Sequence, residues 1–112
     1  MDLILSGRGV TVADVACVAR KSAKVGLSDD ARLRVEAARA VVDRLAHSGV
    51  AIYGVNTALG ANTGAPIPPA DFAGYQKRAV RARAVGVGAP FKTDVVRAMM
   101  FARACGMAVG GS

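Results

Sequence analysis

A chain of 112 residues, 53% apolar and 21% charged, has the length of one small domain or of a piece of a larger one. Its apolar share excludes intrinsic disorder. Aromatics make up only 4%, with no Trp, so Ala, Val, Leu and Met must build the core, a composition suited to closely packed helices. Fifteen Lys and Arg against eight Asp and Glu give a formal net charge of +7. The basic excess is concentrated in Lys77, Arg78, Arg81, Arg83, Lys92, Arg97 and Arg103, opposed over that span only by Asp94. Such a balance permits an anionic partner without demanding one. Cys17 and Cys105 are too few for a disulfide framework or a closed zinc site and read as reduced thiols.

Leu3-Ile4-Leu5, stopped by Ser6-Gly7, reads as a terminal strand. Thr11-Val12-Ala13-Asp14 matches a capping box, so a helix is expected from there to about Lys24, with Gly26 as its stop. Ser28 opens a second helix, with Asp29 and Asp30 at the positive end of its dipole. Leu33, Ala37, Val41 and Leu45 recur every four residues and predict its buried stripe. Arg32 with Glu36 and Arg39 with Asp43 supply opposite charges at i,i+4 on the wet side. His47, Ser48 and Gly49 finish the helix.

Val50-Ala51-Ile52-Tyr53 is read as a short strand. From Gly54 to Pro69 regularity stops, and glycine, asparagine and proline take over. A loop of this length in a compact domain has a function or is disordered. Pro68-Pro69 starts a third helix, expected from Ala70 to about Val85. Thr93 is the expected cap of a fourth, with Asp94 in its first turn and Val96, Met100, Ala104 and Met107 on its apolar face. Val95, Val96, Met99, Met100 and Phe101 surround much of that helix with apolar side chains, which implies burial on more than one side. A lone 112-residue chain cannot supply that, so more protein is expected around it.

Several sites are dismissed by inspection. No glycine is followed by Lys and then Ser or Thr, so there is no Walker-type loop. Gly86-Val87-Gly88 lacks the third glycine of a dinucleotide fingerprint. One His, two distant Cys and no carboxylate cluster give no metal site. His47, at a helix C-terminus, reads as structural. Lys77, Arg78 and Arg81 share a helical face that suits phosphate contacts or, as the favoured reading, a solvated face or subunit contact. The start Met1-Asp2 lacks the basic, apolar pattern of a signal peptide, and the uncharged stretch from Leu45 to Ala70 is interrupted by glycines and prolines. The expectation is a cytoplasmic chain without a membrane or nucleic-acid partner.

The loop opens Tyr53-Gly54-Val55-Asn56-Thr57-Ala58-Leu59-Gly60. On composition alone Tyr53 is a packing anchor; the alternative is a phenolic acid or base at the mouth of a site. A phenol working as a base near neutrality needs its pKa lowered by ~3 units, about 4 kcal/mol. The string YGVNTALGANTG resembles the tyrosine loop of the histidine and aromatic amino acid ammonia-lyases, close to YGVNTGFG. PPADFAGYQKRAVRARAVGVGAP resembles their stretch with LQ and then SHAAGVG, and VVRAMMFARACGMAVGGS resembles VRAMLLLRANALAKGYSG. The three blocks keep the family's order and spacing, and the match covers the whole chain.

The resemblance implies a mainly α fold: the N-terminal part of a helical-bundle ammonia-lyase, with one or two short strands and a glycine-rich loop. Residues 1–112 form a single segment of that larger domain: strand and two helices over 1–52, tyrosine loop over 53–69, two helices over 70–112. It implies a homotetrameric enzyme that eliminates ammonia from an aromatic-type α-amino acid, using a methylidene-imidazolone cyclised from Ala-Ser-Gly. Tyr53 would be the base that takes the β-proton. Gly60 and Leu59 lie in the backbone segment closing over the substrate, and Arg83 stands where many relatives carry a His that reads the substrate side chain. Four departures accompany the match. None of Ser6, Ser22, Ser28, Ser48 and Ser112 lies between Ala and Gly, so the electrophile would come from polypeptide absent here. Arg83 in place of His suits a polar or anionic side chain better than a phenyl ring, and Ala58-Leu59 removes the usual loop aromatic. Cys105 stands where Asn is frequent. An aminomutase of the same family, an inactive remnant serving as an interaction module and, on net charge alone, a small basic nucleic-acid binder are the alternatives.

Overall fold

A computed structural model describes residues 2–111. The chain divides into two compact units, Met1–Arg39 with Ala89–Ser112, and Ala40–Gly88. In the first unit Leu3–Leu5 forms β1, as its apolar run predicts, and lies parallel to β2, Val25–Leu27, with Leu3 opposite Val25 and Leu5 opposite Leu27. The Leu3 amide donates to the Lys24 carbonyl at 2.8 Å and the Ser28 amide to the Leu5 carbonyl at 2.9 Å. Parallel strands need a crossover, and α1, Val12–Lys21, provides it.

The capping box at the start of α1 is complete. Thr11 Oγ1 accepts from the Asp14 amide at 3.2 Å, and Asp14 Oδ2 accepts from the Thr11 amide at 2.9 Å. The far end differs from expectation: α1 stops at Lys21 because Ser22 turns left-handed, φ 52 and ψ 35. Gly26 is therefore no helix stop. It sits inside β2, where the backbone of Val25–Leu27 finds partners on β1 that no local pattern announces.

α2, Asp29–Ala46, begins where Ser28 Oγ accepts from the Ala31 amide at 3.2 Å. Its inward face is not the expected stripe. Leu33, Val41 and Leu45 are exposed, whereas Ala31 and Ala46 are buried and Ala38 and Val42 half-buried. Alanines let the backbone approach its neighbours closely, and the larger apolar side chains are left outward. α4, Thr93–Met107, also departs from its expected face. Lys92 rather than Thr93 is its N-cap, with no side-chain cap bond. Phe101 is its buried residue, with Ala104 and Cys105 half-buried and Ala108 buried at its C-cap, while Val96, Met100 and Met107 are exposed.

The core of this unit is Leu5, Val18, Ala31, Phe101 and Ala108, with Leu3, Val15, Leu27, Ala104 and Cys105 packed against it. Two arginines stitch its distant segments. Arg97 Nε donates to the Val18 carbonyl at 3.0 Å, and the Arg34 guanidinium donates to the Ser6 and Val109 carbonyls. Gly7 is required there twice over: φ is +82, and a Cβ would lie 2.6 Å from the Ala108 carbonyl oxygen.

The second unit holds the end of α2, the loop, a 3-10 turn at Pro69–Asp71 and α3, Phe72–Arg83. This helix is shorter than the 70–85 expected, because its first turn winds as 3-10. The expected strand at Val50–Tyr53 does not form. Its backbone is held by the Asn56 side chain instead. No helix among the described residues is long and apolar enough to cross a membrane.

Candidate functional site

The loop is ordered by side-chain hydrogen bonds together with a short antiparallel pairing of its own arms. Asn56, buried, is the staple. Its Oδ1 accepts from the Ile52 amide at 2.7 Å, and its Nδ2 donates to the carbonyls of Val50 at 2.8 Å and Ala46 at 3.2 Å. These bonds use the groups that a strand at 50–53 would have offered a neighbour, and they draw the chain into a turn. Beyond Asn56 the loop doubles back. Thr57 bridges Pro66 in antiparallel fashion, the Ala58 amide donates to the Ala65 carbonyl at 3.2 Å, and the Ile67 amide donates to the Asn56 carbonyl at 3.0 Å. The tip is a 3-10 turn at Gly60–Asn62, entered through Gly60 at φ +64, a region that glycine reaches without steric cost.

Tyr53 lies at the head of this loop and is 64% exposed. Its hydroxyl accepts from the Gly60 amide at 3.3 Å. The preceding amide, of Leu59, donates to the Tyr75 hydroxyl at 3.1 Å. Gln76 Nε2 donates to the Gly54 carbonyl at 2.8 Å. Three of the four residues singled out from sequence, Tyr53, Leu59 and Gly60, are thus brought together. Arg83 is not hydrogen-bonded to them among the described residues: its Nη1 donates to the Ala79 carbonyl at 2.8 Å, on its own helix. A cavity of about 340 Å³ adjoins the loop, with Ala46, His47, Asn56, Thr57, Ile67 and Phe72 in its wall. There the His47 ring meets Phe72 edge-on, centroids 5.6 Å apart, and Nδ1 lies 2.8 Å from the Asp43 carbonyl oxygen.

Sequence reasoning passed over Asn56, Tyr75 and Gln76. Asn56 carried a signal, a turn-forming residue three positions after the tyrosine. Tyr75 carried none, because it acts on an amide 16 positions away; Gln76 stands in the stretch that resembles the family's LQ, but nothing local pointed to its partner 22 positions back. No group of three or more His, Cys, Asp or Glu able to hold a metal occurs among the described residues.

Residues 10–112 match the family model described as aromatic amino acid lyase. Histidine ammonia-lyase of Shouchella clausii is 36% identical over 110 residues, 98% of this chain and 22% of that protein. Histidine ammonia-lyase of Streptomyces coelicolor is 41% identical over 101 residues, 90% of this chain and 20% of that protein. Among solved structures, the ergothioneine-degrading enzyme ergothionase of Treponema denticola superposes with a TM-score of 0.94 at 31% identity, over 98% of this chain and 22% of its own. Tyrosine aminomutase of Streptomyces globisporus gives 0.91 at 27%, over 98% and 21%. The chain belongs to the aromatic amino acid lyase family and has the mainly helical fold of the corresponding region of these structures. It spans about a fifth of the length of the curated relatives it matches.

Proposed function

We propose that this chain is the N-terminal segment of an amino acid ammonia-lyase and that Tyr53 is its base. The observation that carries the reading is the placement of Tyr53: an exposed phenol at the head of a stapled loop, its oxygen oriented by the Gly60 amide. An α-amino acid losing ammonia must give up a β-proton while the C–N electron pair leaves with nitrogen, forming an α,β double bond. A phenol held by a rigid backbone is suited to take that proton.

The methylidene-imidazolone of the family does not fit the residues present, since no Ala-Ser-Gly occurs in the sequence. That group would be contributed by further polypeptide, with which residues 1–112 would form one domain of a homotetramer in the cytoplasm. Leu59 and Gly60 would border the substrate. Arg83, on the last turn of α3, would face its side chain and favour a polar or anionic one over a phenyl ring. The aminomutase of Streptomyces globisporus among the structural neighbours favours a second reading, in which the same base serves an enzyme that returns ammonia to the β-carbon.

The test is ammonia release and product analysis on the full-length polypeptide. Tyr53→Phe should lower kcat by about 10²–10⁴-fold with KM nearly unchanged. Wild-type kcat in that variant would remove Tyr53 from the chemistry, and a β-amino acid product would decide for the mutase.

A further inference from the structure

We propose that Tyr75 is a positioning residue for Tyr53, acting through the backbone of Leu59 and Gly60. The proposal deepens the function given above and rests on it for its catalytic meaning. Successive amides of the loop donate to the two phenols, Leu59 to Tyr75 at 3.1 Å and Gly60 to Tyr53 at 3.3 Å. The peptide groups are planar, so only the two torsions of Leu59, φ −101 and ψ 158, separate one donor from the other. Fixing the first amide therefore aims the second.

The two tyrosines differ in their footing. Tyr75 is half-buried on the regular helix α3, whereas Tyr53 is exposed in a turn. The next residue on α3 ties the loop a second time, directly after Tyr53: Gln76 Nε2 donates to the Gly54 carbonyl at 2.8 Å. α3 thus grips the chain at Gly54 and Leu59, and Tyr53 takes its place from both. Information runs from Tyr75 to Tyr53, since the helix is the rigid partner. A ring that merely fills space would work as well in Phe. A positioning residue needs the hydroxyl oxygen as acceptor.

The experiment is residue-resolved amide exchange by NMR on the wild-type protein, Tyr75→Phe and Tyr53→Phe. Tyr75→Phe should accelerate exchange about fivefold, the loss of one ordinary hydrogen bond, at both Leu59 and Gly60. Tyr53→Phe should do so at Gly60 alone. The amides of Val80 and Ala84, at the far end of α3, report any general unfolding of the second unit. An effect of Tyr75→Phe confined to Leu59, or of Tyr53→Phe reaching Leu59, overturns the proposal; the second variant decides even if the first disturbs folding. In a full-length enzyme active on an amino acid, Tyr75→Phe should lower kcat about tenfold and leave KM within about twofold, and an unchanged kcat overturns the catalytic role. If the full-length wild type releases no ammonia, the lyase reading fails, while the exchange pattern still decides whether Tyr75 positions Tyr53.

Discussion

Asn56 satisfies three backbone groups with one amide, and two of them lie on the stretch leading to Tyr53. Replacing it by Ala leaves the Ile52 amide and the carbonyls of Ala46 and Val50 without that partner in a half-buried setting. Asn56→Ala should therefore destabilise the second unit by about 1–3 kcal/mol, read from urea denaturation followed by the fluorescence of its two tyrosines, and equal midpoints would refute the staple. Cys105 is a quieter case. Burial pushes its thiol up from the ordinary cysteine value, which keeps it protonated and poorly nucleophilic.

At the scale of the element, local signals were legible and long-range ones were not. The capping box of Thr11 and Asp14, the Ser28 start of α2 and the breaks around α3 need only neighbouring residues, and each lies close to where the pattern put it. β2 needs β1, twenty residues away, and a glycine read as a helix stop became part of a strand. Side-chain size and spacing predict the stripes of α2 and α4, whereas the buried positions are Ala31 and Ala46 on α2 and Phe101 on α4, set by what packs against each helix. In the loop, Tyr53, Leu59 and Gly60 were legible through their motif. Tyr75 was not, and Gln76 only as part of the LQ-like stretch, since a hydrogen bond to a backbone group 16 or 22 residues away leaves no local trace.

The cap of α1 also titrates. Hydrogen bonds from the Thr11 side chain first, and then its amide, hold the Asp14 carboxyl below the usual carboxylate range. A depressed folded-state pKa contributes stability that is present above the unfolded value, near 3.9, and lost as pH falls through the folded one. Fraying of the first turn of α1, followed by amide shifts between pH 5 and pH 2, should show that loss in wild type and not in Asp14→Asn. A pH-independent first turn in both proteins would contradict it.

For the molecule as a whole, the apolar surface outruns the core. Leu33 is 64% exposed, Met100 68% and Met99 57%, while the buried cluster of the first unit is only five residues. Exposed apolar side chains in this number suit surfaces that further protein covers, in keeping with a chain that covers about a fifth of its relatives. The 112-residue chain alone should self-associate with rising concentration in light scattering. The Leu33→Lys, Met100→Lys double variant should scatter less, and equal scattering would place the association elsewhere.

The interrupted layout of the first unit has a consequence for how the chain acquires its structure. Arg97 reaches back 79 residues to Val18, and Ala40–Gly88, lying between, belong to the other unit. Loop-closure entropy rises only slowly with such a span, so the finished fold loses little by it. The delay is in time. A ribosome adding 5–20 residues per second needs roughly 4–16 s to go from Val18 to Arg97, and through that interval the apolar face of α1 has no partner from α4. The Asn56 staple closes over at most ten residues and is made early. The tyrosine loop is thus expected to set before the core whose two halves flank it in sequence, leaving α1 as the segment that a chaperone or a neighbouring nascent chain meets first.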